Sequence, residues 1–204
     1  SVGLRGNISR SLYTMRHDAE VTPTFRSEGR DAGNGSLMRL AAVPIAYSRT
    51  ISAVATVARA SSLTTHPGPI AAEACAFLAT LVARAINDER HPGESARAFL
   101  ERVSDEYLDE MGTKDDEAAH LIRRLLRAAE PADSLERCWN WRAESLDLGG
   151  TMRRRGSMYN GYPNSAGYFG SFCLDGLAMA LYAVAKTNSF GSAIELCVNL
   201  CGDA

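Results

Sequence analysis

Apolar residues recur every three or four positions along most of the chain, and this periodicity restricts the fold more than any other feature. It is clearest from Pro67 to Asn87, from Glu94 to Met111 and in the segment that follows Thr113. Two further apolar segments with helical spacing follow, SFCLDGLAMALYAVAKTN and SFGSAIELCVNL. No stretch alternates apolar and polar residues as a half-buried strand does. The sequence therefore predicts an all-α fold.

The composition fits one domain with a full core. The chain has 204 residues, of which 46% are hydrophobic and 23% charged, and this is enough apolar material for a compact multi-helix domain. We therefore expect a single domain over residues 1–204. The formal net charge of -2 gives no general attraction to nucleic acid or to an anionic membrane. We expect neither as a partner.

The apolar segments and the cysteines both favour a cytoplasmic protein. Polar residues interrupt the apolar runs before the ~20 residues that a bilayer span needs, and the polar segment Ser1 to Arg30 does not look like a secretory leader. The five cysteines contain no CxxC pair, and Cys75, Cys173 and Cys197 lie within apolar helical patterns. Reduced core thiols have this distribution.

Capping residues predict where several helices begin and end. Gly112 is a stop signal, the sequence TKDD from Thr113 looks like a capping box, and Ser189 is a candidate N-cap. Residues 145–170, rich in glycine and containing the triplet Arg153 to Arg155, break the helical pattern. This composition predicts a long loop, either functional or disordered.

The segment DAGNGSLMRL places Gly33 and Gly35 on either side of Asn34, just before a helical pattern. Glycines permit positive φ and let a ligand approach the main chain closely. The free amides at a helix start then favour an anion such as a phosphate. A tight turn with a purely structural role is the alternative. Arg39 either adds positive charge or pairs with Asp31.

The order of the motifs points to a family. GNGSLMRLAAVPIAY is followed by TTHPGPIAAEACAFLATLV, then by GYFGSFCLDGLAMALYAV and AIELCVNLCGDA. Over roughly Asp31 to Ala204, this succession resembles the ADP-ribosylglycohydrolase family, which includes the dinitrogenase-reductase-activating glycohydrolases and the jellyfish J-type crystallins. The resemblance implies an all-α orthogonal bundle and two Mg²⁺ cofactors. It also implies, as partner, ADP-ribose or an ADP-ribosylated protein or small molecule, whose glycosidic bond is hydrolysed.

The resemblance also assigns substrate-binding residues. It implies that the corner formed by Gly33 to Ser36 holds the diphosphate or the adjacent ribose, that a histidine lies at the pocket wall, and that a later segment lines the adenosine side. These residues are Gly33, Asn34, Gly35, Ser36, His66, Tyr168, Phe169, Gly170 and Ser171. A capping or surface histidine is the alternative for His66, and core packing is the alternative for the two aromatic residues.

Asp203 is the catalytic and metal-binding residue that the resemblance implies, as a Mg²⁺ ligand rather than a general base. The family's GDxDT pattern supplies two carboxylates and a hydroxyl, which are oxygen ligands of the kind that Mg²⁺ prefers, whereas this chain supplies only Gly202-Asp203-Ala204. The family's early GDxxG and threonine-aspartate-aspartate motifs are not found either. We therefore expect a fragment that lacks metal-ligand segments at both ends. A capping role is the alternative for Asp203, and Asp175 is expected to pair with the predicted loop or a polar patch.

The resulting functional prediction is hydrolysis of ADP-ribosyl glycosidic linkages by a dimagnesium site in the full-length protein, with this chain carrying the ADP-ribose-binding part. The alternatives are a non-catalytic ADP-ribose-binding or crystallin-like structural protein and, in another class, a helical adaptor whose GNG turn is merely structural.

Overall fold

The computed structural model describes residues 6–18, 32–155, 158–159, 162–163 and 171–200. These residues form α-helices, one short 3-10 helix and two strands of two residues each. The prediction of an all-α fold is confirmed. Contacts along the chain define two compact units, residues 1–89 and 90–204, which are described separately below. The single domain over residues 1–204 stays a prediction.

The described residues of the first unit form five helices. They are α1 (Gly6–Asp18), α2 (Gly35–Met38), α3 (Ala42–Tyr47), α4 (Ile51–Leu63) and α5 (Pro69–Ile86). Pro69 occupies the first turn of α5, where its missing N–H costs no hydrogen bond.

Small residues form the contact between α4 and α5, the main helix pair of this unit. Val54 and Ala58 of α4 are buried in one cluster with Cys75 and Ala79 of α5. Their short side chains let the two helices pack closely. Arg59 of α4 also donates two hydrogen bonds, of 2.8 and 2.9 Å, to the carboxylate of Glu73 on α5. The α4–α5 pair is therefore stabilised by burial and by a bidentate salt bridge.

Among the described helices, α5 alone is long and apolar enough to cross a membrane, whereas the sequence analysis expected no such segment. The protein itself buries 61% of this apolar window. A buried central helix has this composition for packing reasons, so α5 is weak support for a membrane span.

The second unit contains the remaining elements. They are α6 (Ala96–Met111), α7 (Glu117–Arg127), the 3-10 helix Leu135–Trp139, α8 (Leu148–Arg154), β1 (Met158–Tyr159), β2 (Tyr162–Pro163), α9 (Cys173–Lys186) and α10 (Phe190–Asn199). The strands β1 and β2 pair antiparallel.

Several predicted helix ends are confirmed, with one shift. Gly112 ends α6 with a φ of 59°, a conformation that favours glycine. Ser189 caps α10 by accepting a hydrogen bond from the amide of Ser192. The predicted capping box at Thr113 is displaced, because the N-cap of α7 is Asp116, which accepts a 2.8 Å bond from the amide of Ala119.

The predicted long loop over residues 145–170 is wrong in part, because α8 lies within it. Asp147 caps this helix and accepts a 2.9 Å hydrogen bond from the amide of Gly150. A Cβ atom at Gly150 would lie 1.9 Å from Oδ2 of Asp147. The lack of a side chain at Gly150 therefore leaves room for the capping carboxylate, which accounts for a glycine at this helix start.

Asp175 pairs with a residue of that same segment, as expected. Its carboxylate accepts a 2.8 Å hydrogen bond from Nη1 of Arg155 and a 2.9 Å bond from the indole of Trp139. Both charged side chains are buried, at 0% and 3% exposure. Burial raises the pKa of Asp175, and the charge of Arg155 and the bond from Trp139 offset part of this rise.

The helix α10 has no buried residue. Phe190, Ile194 and Val198, spaced one turn apart, are exposed. Cys197 is only partly buried, whereas Cys75 and Cys173 are buried as expected. The prediction that Cys197 is a core thiol is therefore wrong.

Candidate functional site

Gly33 and Gly35 do not adopt the positive φ that glycine permits. Among the described glycines, only Gly93 and Gly112 have it. At the corner the lack of a side chain serves another purpose. A Cβ atom at Gly33 would lie 3.3 Å from Nε2 of His66, and one at Gly35 would lie 3.0 Å from its Cε1. The imidazole thus occupies the space that larger residues would need.

This contact brings two of the predicted site segments together. His66 follows α4 and precedes α5, and only 3% of it is exposed, so it is not a surface residue. It does not cap α5 either, since the N-cap there is Gly68. The corner and the imidazole therefore form one local arrangement within the first unit, as a shared binding site requires.

Ser36 turns away from solvent. It is 2% exposed, and its hydroxyl accepts a hydrogen bond from the thiol of Cys75, with 3.5 Å between the two atoms. Burial raises the pKa of this thiol, so Cys75 keeps its proton and remains a donor at neutral pH. The hydroxyl of Ser36 thus belongs to the core of the unit. The other three corner residues, Gly33, Asn34 and Gly35, are partly exposed.

The helix after the corner is short. α2 has four residues, and the side chain of Asn34 does not cap it. A single turn has a small dipole, so the dipole contributes little to anion binding. None of the amides of Gly35, Ser36 and Leu37 donates to a backbone carbonyl of the described residues. Any anion at this corner must therefore be held by individual N–H groups.

Arg39 and Thr65 are further functional candidates, which were not linked to His66 from the sequence. Nη2 of Arg39 donates to the carbonyl of Ser61 at 2.7 Å and to the hydroxyls of Thr64 at 3.1 Å and Thr65 at 2.6 Å. The hydroxyl of Thr65 lies 2.9 Å from Nδ1 of His66. Arg39 thus binds the end of α4 and, through Thr65, reaches His66. Thr65 directly precedes His66 in the motif TTH, and this adjacency is the sequence signal for their contact.

Four of the predicted residues, Tyr168, Phe169, Gly170 and Asp203, lie outside the described residues. Ser171 is described and belongs to the second unit, where it is partly buried. It precedes Phe172, whose ring stacks on Trp139 with 6.5 Å between the ring centroids.

The described part of the chain does not test the implied magnesium site, because Asp203 lies outside it. It contains no group of three His, Cys, Asp or Glu side chains that could hold a metal ion. Asp203 is the single ligand that the sequence analysis named, so the described residues do not complete a coordination shell.

The second unit has a separate small cavity of about 150 Å³. Arg137, Asn140, Asp147 and Arg154 are among the residues that line it. None of the predicted site residues does so.

Comparison with known proteins identifies the family. A family model described as ADP-ribosylglycohydrolase matches residues 2–204. No curated protein matches the chain, and no solved structure does. The family match covers the corner, His66 and all the helices described above. The chain therefore belongs to the ADP-ribosylglycohydrolase family.

Proposed function

We propose that this chain binds ADP-ribose at the corner Gly33 to Ser36 and at His66, and that the protein hydrolyses ADP-ribosyl glycosidic linkages. The observation that carries the proposal is the packing of the His66 imidazole against Gly33 and Gly35, at 3.3 and 3.0 Å from their Cβ positions. Two motifs that are distant in the sequence thus lie in direct contact, next to the partly exposed main chain of Gly33 to Gly35. Family membership supplies the reaction type.

The donors at this corner suit a diphosphate. Phosphate oxygens accept hydrogen bonds, and both backbone amides and an imidazole N–H donate them. The corner residues Gly33, Asn34 and Gly35 are partly exposed, so a ligand has access to their main chain. Because the site is built from dipoles and not from lysine side chains, its preference for an anion does not depend on the net charge of the chain.

Hydrolysis at the anomeric carbon of the ribose requires an activated water and stabilisation of an oxocarbenium-like charge. We propose Asp203 as a Mg²⁺ ligand for this step, and Tyr168 to Ser171 as the adenosine side of the site. The described residues supply binding and orientation. We further propose that the protein acts in the cytoplasm, on ADP-ribosylated proteins or small molecules.

Calorimetry with ADP-ribose, with and without Mg²⁺, tests the binding proposal. Removing a hydrogen bond to a charged group costs about 1.5–3 kcal/mol, so His66→Ala should weaken binding by about 10- to 100-fold. The exposed His91 provides the matched control, and His91→Ala should bind as the unchanged protein does. If neither buffer shows binding, the corner is structural, as the adaptor alternative holds. If both variants bind as the unchanged protein does, ADP-ribose does not contact His66 and the proposed site is wrong.

Hydrolysis is tested separately by incubating the protein with ADP-ribosylated arginine and serine peptides, with Mg²⁺ or with a chelator, and quantifying released ADP-ribose. Metal-dependent release that is lost in Asp203→Asn supports the enzyme. Binding without release from any peptide supports the non-catalytic ADP-ribose-binding alternative.

A further inference from the structure

We propose that Arg39 and Thr65 are positioning residues that fix the orientation and the tautomer of His66, leaving its ring proton on Nε2. The inference deepens the proposed function, because it assumes that His66 faces the ligand. It concerns residues that need not touch ADP-ribose themselves.

Arg39 binds the side chain of Thr65. A guanidinium group has only donors, so the hydroxyl of Thr65, 2.6 Å from Nη2, must accept. The same nitrogen donates to the carbonyl of Ser61 at 2.7 Å and to the hydroxyl of Thr64 at 3.1 Å. The two N–H bonds of Nη2 are thus shared among three acceptors at the end of α4, which fixes the guanidinium and, through it, the Thr65 hydroxyl.

The hydroxyl of Thr65 has one proton to donate, and its acceptor determines which nitrogen of His66 is protonated. Nδ1 of His66 lies 2.9 Å from this hydroxyl. If Nδ1 carried the ring proton, the Thr65 oxygen would accept twice, from Arg39 and from His66, and its own proton would have no acceptor among the described side chains. Because an unmade hydrogen bond is costly in a partly buried place, the hydroxyl donates to Nδ1. In the neutral form of the ring, the proton is then on Nε2.

The ring proton on Nε2 lies on the side of His66 that faces the corner. Nε2 lies 3.3 Å from the Cβ position at Gly33 and 3.2 Å from that at Gly35. It is therefore the ring nitrogen on the side of the corner. An Nε2–H group donates to a phosphate oxygen or a ribose hydroxyl, whereas the other tautomer would present a lone pair and repel a phosphate. A hydrogen bond on one ring nitrogen thus sets the chemistry of the other, as is common for functional histidines.

The tautomer is measured without any ligand, by long-range ¹H–¹⁵N NMR of the imidazole rings. The chain has four histidines, and the His66 signals are assigned by their loss in His66→Gln. We expect the Nε2–H pattern in the unchanged protein and in Thr65→Ser, which keeps the hydroxyl. Thr65→Val keeps the shape but lacks the hydroxyl, and should give a mixture of tautomers or the Nδ1–H form. An Nδ1–H pattern in the unchanged protein, or an unaltered pattern in Thr65→Val, overturns the proposal.

A buried threonine elsewhere in the same unit provides the matched control. The hydroxyl of Thr80 donates to the carbonyl of Ala76 within α5, so Thr80→Val removes a buried threonine hydroxyl away from His66. This variant should leave the His66 tautomer unchanged. Arg39→Met should broaden or shift the His66 signals, while Arg39→Lys, which keeps a donor, should restore them in part. If Thr80→Val changes the tautomer as much as Thr65→Val does, the effect is general loosening and the proposal fails.

Affinity for ADP-ribose then separates this inference from the proposed function. We expect Thr65→Val and Arg39→Met to weaken binding by about 5- to 20-fold, the loss of one well-placed hydrogen bond, and Thr65→Ser to stay within about twofold. If the tautomer changes as expected but the unchanged protein does not bind ADP-ribose, the positioning role holds and the proposed function is wrong. If ADP-ribose binds but Thr65→Val leaves tautomer and affinity unaltered, the positioning role is wrong and the proposed function stands.

Discussion

The replacement Gly35→Ala tests the contact on which the proposed site depends. The added methyl would lie 3.0 Å from Cε1 and 3.2 Å from Nε2 of His66, against an optimal separation of about 3.5–4.0 Å for carbon atoms. Either the imidazole or the corner must therefore move by about half an ångström. The ring has little freedom to do so, because its other nitrogen lies 2.9 Å from the Thr65 hydroxyl.

Overpacking of this kind costs about 1–3 kcal/mol, whereas alanine in place of a helical glycine gains about 0.5–1 kcal/mol. The control Gly191→Ala isolates the steric cost, since Gly191 lies in α10 and has nothing within 4 Å of its Cβ position. We expect Gly35→Ala to be about 1–3 kcal/mol less stable to urea than Gly191→Ala. Gly33→Ala, with its nearest ring atom at 3.3 Å, should fall between them.

Urea unfolding followed by circular dichroism measures these differences, and calorimetry with ADP-ribose measures the effect on binding. A displaced imidazole should weaken binding about tenfold, equivalent to about 1.4 kcal/mol. If Gly35→Ala is as stable as Gly191→Ala, binds ADP-ribose normally and leaves the His66 ring signals unmoved, the imidazole does not pack against the corner.

Two further predictions concern the second unit. Asp175→Asn should destabilise the protein by about 3–5 kcal/mol in urea, because it leaves the charge of Arg155 buried without its partner. The control Asp105→Asn removes a carboxylate whose side chain is 61% exposed and should cost at most about 1 kcal/mol. Equal effects of the two replacements would contradict the burial argument. Hydrogen bonding from Arg102 lowers the pKa of Glu94 from 4.5 to about 2, so the stability that this pair contributes is complete above about pH 4.5 and is lost as the pH falls towards 2. Carboxyl ¹³C titration by NMR should show this low pKa and its return towards 4.5 in Arg102→Met, and a normal pKa in the unchanged protein would refute the pairing.

Periodicity predicted α5, α6, α7 and α9, because each of these helices buries apolar residues at helical spacing. It also predicted α10, which has no buried residue, and it gave no prediction for α1 or α4. It failed for α8. Gly149 and Gly150 have the composition of a loop, whereas the capping bond of Asp147 and the burial of Leu148 and Met152 stabilise a helix there. The capping contact is local, but it leaves no periodic apolar signal.

The site was predictable in its parts but not in its geometry. The resemblance named both the GNGS corner and His66, whereas the packing of the imidazole against the two glycines was not predicted. The hydrogen bonds from Arg39 to the end of α4 depend on how two distant segments fold back on each other. No local sequence rule contains that information.

Titration of ¹⁵N-labelled protein with ADP-ribose tests the central claim most directly. We expect saturable shifts that are largest at the amides of Gly33, Asn34 and Gly35 and at the ring of His66. An absence of shifts at these four residues, or a response confined to the cavity around Arg137 and Arg154 in the second unit, would contradict a binding site at the corner.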